Sequence, residues 1–325
     1  MSGSVVILGS VLVTEGSHEA EHRATGWRAK SVRRPGRAAQ LGSSSYGYPI
    51  MAAVERLDGR AQFGSVSTSR LVTLATFDLC GLCGLPFGEE LRWQVSTHVD
   101  AVDNPGDYRN AFSEPPLHKI CLMYSALVCP FLRSPAARGR DPEGRVDLSL
   151  GTSLLAYGLL DTVGVHFDPS NSDYQLRFLH AGLACADRWG SLDDLDVNYR
   201  EALVGEEPLS VDANLAVIAG ALNRCDTGDI ADPGAQVFMA ALVCGAALVP
   251  QVRELPETQA IFDDAGYSYL RDMAISWTGG DKEAIPLGPN ASPVLAAAFA
   301  WLRSNDPLPT VLAGWRAAAR QSGAV

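Results

Sequence analysis

The sequence predicts an α+β protein with two regions, a small α+β module followed by an all-α helical domain. Three observations carry this expectation. Four side chains able to ligate a metal, Cys80, Cys83, His118 and Cys121, are spaced C-x2-C…H-x2-C in the first half. A polar stretch rich in Arg, Pro and Gly separates the halves at residues 136–146. Beyond it, apolar residues recur at helical spacing or in continuous runs, and strand-type alternation is nearly absent.

Residues 1–45 read as a disordered basic tail. Gly, Ser, Ala and Arg dominate, no period is sustained, and the basic run from Lys30 to Arg37 is expected to be a solvated arm. Val5-Val-Ile-Leu-Gly9 could open a dinucleotide fold, but no G-x-G-x-x-G follows it. The same apolar run lacks a basic flank and a cleavage site, so no secretory signal is read and the cytoplasm is the expected compartment. A start-site artefact upstream of Met51 would also account for the tail.

The module is expected over residues 46–135. Ile50–Val54 and Ala61–Val66 are short strand-like pieces around Leu57-Asp58-Gly59, a hairpin turn signal. Ser69–Leu79 is a short helix or strand leading into the first cysteine pair. Leu91–Val99 alternates as a half-buried strand does, and Asp103-Asn-Pro-Gly-Asp107 is a turn cluster. A helix is expected from Ser113-Glu-Pro-Pro116, with Ser113 as N-cap and proline tolerated in the first turn, to Cys129-Pro130.

The C-terminal region, 147–325, is expected to be an acidic helical domain with helices over Leu148–Leu160, Asp173–Trp189, Val211–Leu222, Ala235–Val249 and Pro293–Arg303. Shorter helices are read at Thr258–Phe262 and Pro309–Arg320. The uncharged stretch Pro233–Val252 has a strongly apolar core of about 13 residues, short of the ~20 that span a bilayer, so a buried helix and no membrane contact are expected. Residues 146–325 carry 10 basic against 23 acidic side chains, which repels phosphate backbones. Any nucleic-acid contact is therefore expected within the first 145 residues, where the charges nearly balance.

Cys80-Gly-Leu-Cys83-Gly has the form of a zinc knuckle: glycine after each cysteine lets the chain turn and aim both sulfurs at one cation. His118 and Cys121, three apart, share one face at the start of a helix. Knuckle, hairpin and helix start together make a treble-clef-like arrangement, with Zn2+ as the structural cofactor. Cys129 competes with His118 as fourth ligand. On a continuing helix it lies roughly 12 Å beyond Cys121, too far for two sulfurs each about 2.3 Å from one ion. Unmetallated buried cysteines are the plainer alternative. Four protein ligands close the shell and leave no place for an activated water.

The three pieces Cys80-Gly-Leu-Cys-Gly-Leu-Pro-Phe87, Ser113-Glu-Pro-Pro-Leu-His-Lys-Ile-Cys121 and Val128-Cys-Pro-Phe-Leu132 resemble an uncharacterised family of actinobacterial and actinobacteriophage proteins. That family carries a CxxCG knuckle, an EPPxHxxC helix start and a CPF end. The resemblance covers about residues 48–135 and implies a metal-binding fold without an assigned activity. The segment Ser96–Arg109 and the long C-terminal extension depart from it.

A second functional expectation is a metal-dependent nuclease of HNH type. His98, with Asp100 and Asn110 (and Asp103 and Asn104 between them), lies between knuckle and helix, where such enzymes place a water-activating histidine. Against it stand the missing Asp before His98 and the near-neutral charge of the module. The His166–Asp173 loop has oxygen ligands but lacks the glycine and distal Glu of a calcium loop, and a helix-capping turn is the plainer reading. Asp193, Asp194, Asp196, Glu201, Glu206 and Glu207 read as a solvated face. Cys185, Cys225 and Cys244 read as buried structural thiols. His180 and Cys185, five apart, do not share a helical face. Taken together the sequence points to a zinc-stabilised binding or adaptor protein with a protein partner, with the nuclease second and a small-molecule site in the helical domain third.

Overall fold

In a computed structural model of the chain, the described residues are 32–43, 47–57, 60–96, 111–112, 114–129, 154–168, 175–206, 210–223 and 293–304. They form eight strands and five helices, a mixed α+β architecture. No helix among them is long and apolar enough to cross a membrane. The expected helices at Ala235–Val249, Thr258–Phe262 and Pro309–Arg320 lie outside these residues, as do His98, Asp100 and Asn110.

Strands β1 (Val54–Leu57) and β2 (Arg60–Val66) pair antiparallel with Leu57 facing Arg60, the hairpin that the turn residues between them announce. Helix α1 (Thr68–Thr76) follows at once, with Ser67 Oγ accepting from the Arg70 N–H. That N-cap resolves the helix-or-strand ambiguity of 69–79, since it satisfies a first-turn donor that a strand would leave in a ladder.

The knuckle comes next, then β3 (Arg92–Ser96), β4 (Ala111–Phe112) and helix α2 (Lys119–Val128). Helix α2 begins after the two prolines, six residues later than Ser113. Proline keeps the residue before it extended, and Leu117 is drawn into a bridge with Trp93, N to O at 2.8 and 2.9 Å. His118, still extended, becomes the N-cap, and the helix ends at Cys129 as expected. Residues 120–128 of α2 are all buried, which makes it the central helix.

The all-α expectation for 147–325 is overturned between 154 and 189. Four strands occupy it: β5 (Leu154–Leu159), β6 (Thr162–Asp168), β7 (Gln175–His180) and β8 (Leu183–Trp189). They form one long antiparallel ribbon, β5 against β8 and β6 against β7. It is interrupted where Leu160-Asp161 faces Ala181-Gly182, and the bonds Leu160 N to Gly182 O and Ala181 N to Asp161 O, each 2.9 Å, carry the ladder across. The continuous apolar run that resembled a helix is instead a strand buried on both faces; β5 is buried at all but one position.

Strand β3 joins the free edge of β5 over five residues, giving the order β3-β5-β8, and β4 joins β7 in the order β4-β7-β6. Two expectations fail here. Strands β3 and β4 lie in different sheets, so they do not form the hairpin of a treble clef. The strands on either side of 136–146 also share sheets, so that linker does not divide the chain into independent domains.

Helices α3 (Leu192–Val204), α4 (Ala213–Leu222) and α5 (Pro293–Ser304) complete the described fold. The last two match the expected helices closely. Ser191 and Asp212 cap α3 and α4 by accepting from backbone N–H groups. Helix α3 packs on α2, and α5 packs on α4.

The N-terminal expectation also needs correction. Residues 32–43, placed in a disordered tail, are folded onto the molecule. Ala38 and Leu41 are buried in the same core as Cys80, Cys83 and Cys121. Of the basic run, Arg34 donates to Leu41 O (2.6 Å) and to Ser43, and Arg37 pairs with Glu90 and Glu206.

Candidate metal centre

The four residues singled out by spacing converge. One ligand atom from each of Cys80, Cys83, His118 and Cys121 lies within 4.8 Å of every other, and all four residues are buried. The Cys83 and Cys121 sulfurs stand 3.5 and 3.9 Å from His118 Nδ1. A tetrahedral ion with sulfur arms of about 2.3 Å and a nitrogen arm of about 2.0 Å needs ligand separations of roughly 3.5–3.8 Å. The residues fit a four-coordinate cation. Cys129, the competitor, is half-buried at the far end of α2 and outside the cluster.

The knuckle is shaped by backbone bonds: Cys80 N donates to Leu85 O and Gly84 N to Cys80 O, both at 2.8 Å. Gly84 sits at φ +71°, where a side chain would be strained. Gly81 is needed for another reason. A Cβ there would stand 2.4 Å from Pro115 Cγ, so the knuckle presses directly on the diproline before His118. Gly81 N also donates to Pro116 O at 2.9 Å. The two halves of the ligand set are thus joined by backbone as well as by any ion.

His118 is oriented from its far side. Its Nε2 lies 3.0 Å from Pro86 O. A carbonyl only accepts, so Nε2 carries the proton and Nδ1 is left to ligate, the arrangement that fixes metal-binding histidines. The Phe87 ring lies against the imidazole with centroids 4.7 Å apart, and the Arg92 guanidinium covers Phe87 at 5.2 Å. Arg92 bonds Asp78, just before the knuckle, and Asp161, at the interruption of the ribbon. Side-chain order therefore runs from the sheet to the imidazole.

Burial pushes the Cys83 and Cys121 thiols well above their ordinary range. At Cys80 burial is outweighed by hydrogen bonding with the Cys121 and Cys83 thiols and by the His118 charge, so that thiol falls well below it. At His118 burial acts to lower the pKa, but the charge of Cys80 wins and the imidazole rises. A thiolate facing a basic imidazole, with two further thiols beside them, makes a site that exchanges protons for a cation.

Several partners of this centre were not legible in sequence. The Cys83 carbonyl accepts from Asn223 Nδ2 at 2.8 Å and from Gln40 Nε2 at 3.3 Å, tying it to the end of α4 and to the N-terminal segment. Main-chain acceptors leave no motif, so only the fold could bring these amides to light. Glu206, expected on a solvated face, accepts from Gly36 N at 2.7 Å and pairs with Arg37. Cys185, expected to be buried, is exposed on β8, while His180 is buried on β7 and its pKa is pushed down to about 4 by burial. Comparison of the chain with protein-family models, curated proteins and solved structures finds no match.

Proposed function

We propose that Cys80, Cys83, His118 and Cys121 hold one structural Zn2+ and that the protein serves binding or assembly rather than catalysis at this centre. One observation carries the reading: four buried ligand atoms converge within 4.8 Å of one another, with the imidazole turned by Pro86 O. Such a set fills the coordination shell of zinc from the protein alone, so the ion would cross-link knuckle and helix and have no position for a reacting water. The treble-clef likeness is confined to knuckle and helix start.

A protein partner suits this reading better than nucleic acid. Several basic side chains among the described residues are engaged within the molecule. Arg34, Arg37, Arg70 and Arg92 bond to other residues of the fold, and Lys119 lies between Asp187 and the face of Trp93.

The test is the metal content of the full chain purified under reducing conditions. One zinc per chain is expected, falling to none in Cys83→Ser and His118→Ala. Iron, or no metal in the parent, would overturn the assignment. Cleavage of plasmid DNA that His98→Ala abolishes would replace the adaptor reading by the nuclease.

A further inference from the structure

The ligands are wholly buried, so a metal can enter or leave only if some covering segment moves away. The knuckle and α2 carry the ligands and cannot open without destroying the site. Strand β3 is held along β5 over five residues and by its bridge to Leu117. Residues 32–43 differ from all of these. They supply no ligand, contain a single 3-10 turn (Gly36–Ala38), and join a ladder only through the Ser43–Pro49 bridge. Yet Ala38 and Leu41 pack in the core that holds the cysteines, and Gln40 Nε2 reaches the Cys83 carbonyl.

What fastens this segment is polar and concentrated. Glu206, just past the end of α3, accepts from Gly36 N at 2.7 Å, Arg37 N at 3.3 Å and Arg37 Nε at 3.2 Å. Glu90 takes the remaining edge of the guanidinium at 2.8 Å. Tyr199 adds a bond to Arg33 O. One carboxylate thus gathers both first-turn donors and the side chain of the segment, and charge-assisted bonds of that kind are the stronger ones.

Building on the zinc reading, we propose that residues 32–43 are a strap across the metal centre, latched by Glu206, whose opening governs metal entry and release. Opening would free the Cys83 carbonyl from Gln40, expose the sulfurs to an incoming chelator or metal donor, and leave the ligand set itself in place. Ligand sulfurs take up protons from solvent as the ion departs, so the exchange needs no redox partner.

The experiment follows zinc transfer from the full-length, zinc-loaded chain to an excess of chromogenic chelator. Glu206→Gln keeps shape and removes the charge. It should release zinc about tenfold faster, the factor that loss of one charge-assisted hydrogen bond makes, while still binding one zinc per chain. Gln40→Ala should accelerate release in the same direction. Asp196→Asn, which breaks only the exposed pair with Arg200, should leave the rate at that of the parent. Amide exchange on the same samples should rise across 32–43 in Glu206→Gln and stay unchanged in α2. Zinc retained with an unchanged release rate, or faster release with equally raised exchange in α2, would overturn the strap and leave the zinc site standing. A parent chain without metal would overturn both.

Discussion

At the scale of single residues, the centre depends on contacts that leave no room for substitution. Gly81 is the sharpest case, because its missing side chain is where Pro115 rests. Gly81→Ala should destabilise the protein by about 1–3 kcal/mol, the usual cost of forcing extra volume into a packed site. Pro115→Ala removes the Cγ met at 2.4 Å but keeps the Cβ met at 2.8 Å, so it should relieve the clash in part and the double variant should lose less than the two single losses combined. Denaturant midpoints of the four proteins give that coupling, and strict additivity would mean the contact is not as close as it stands here. The four residues that converge were legible: C-x2-C and H-x2-C spacing named Cys80, Cys83, His118 and Cys121, and helix pitch alone preferred His118 over Cys129. Pro86 and Asn223 were not legible, since one acts through its carbonyl and the other from a position 140 residues beyond Cys83. Cys129→Ser should leave metal content at the parental value, whereas Cys121→Ser should abolish it.

At the scale of elements, what could be read depended on whether local chemistry was decisive. The hairpin between Leu57 and Arg60 and the helices ending at Leu222 and Ser304 carry local signals that tertiary contacts did not override. The ribbon from 154 to 189 carried none. Leu154–Leu159 is apolar throughout because both faces are covered, and β8 is largely exposed, so neither shows the alternation of a half-buried strand. The start of α2 was misplaced for a related reason: Ser113-Glu-Pro-Pro fits a cap and first turn, but Leu117 does more for the fold as a strand partner of Trp93. Helix α4 depends on such a distant tie as well. Its C-cap residue Asn223 closes on the knuckle, and Asn223→Ala should cost about 1–2 kcal/mol by leaving one amide bond to Cys83 O unmade. Thermal melting of the zinc-loaded protein checks this. A loss accompanied by reduced zinc stoichiometry would show instead that Asn223 shapes the ligand set.

At the scale of the whole molecule, the centre lies where distant segments of the chain meet. The N-terminal segment reaches it through Gln40, the end of α4 through Asn223, and the ribbon through Asp161, Arg92 and Phe87. The sheets strengthen the same conclusion, because β3 and β4 find their partners only in β5 and β7, beyond the expected linker. Structural zinc supplies folding free energy directly to whatever its ligands organise. On the zinc proposal, removing the ion with a chelator should therefore loosen both sides of residue 136 together: one cooperative transition shifted down, with amide protection lost in β5 and α4 as well as in α2. The same topology predicts that a fragment ending at residue 135 fails to fold even with zinc supplied, since β3 and β4 would present unpaired edges and α2 would lose the face it buries against α3. Its amide spectrum should show the narrow dispersion of an unfolded chain, while cysteine and histidine ligation persists. A well-dispersed spectrum from that fragment would mean that the module carries its own core, and that the pairing of β3 with β5 is an addition to a fold already complete.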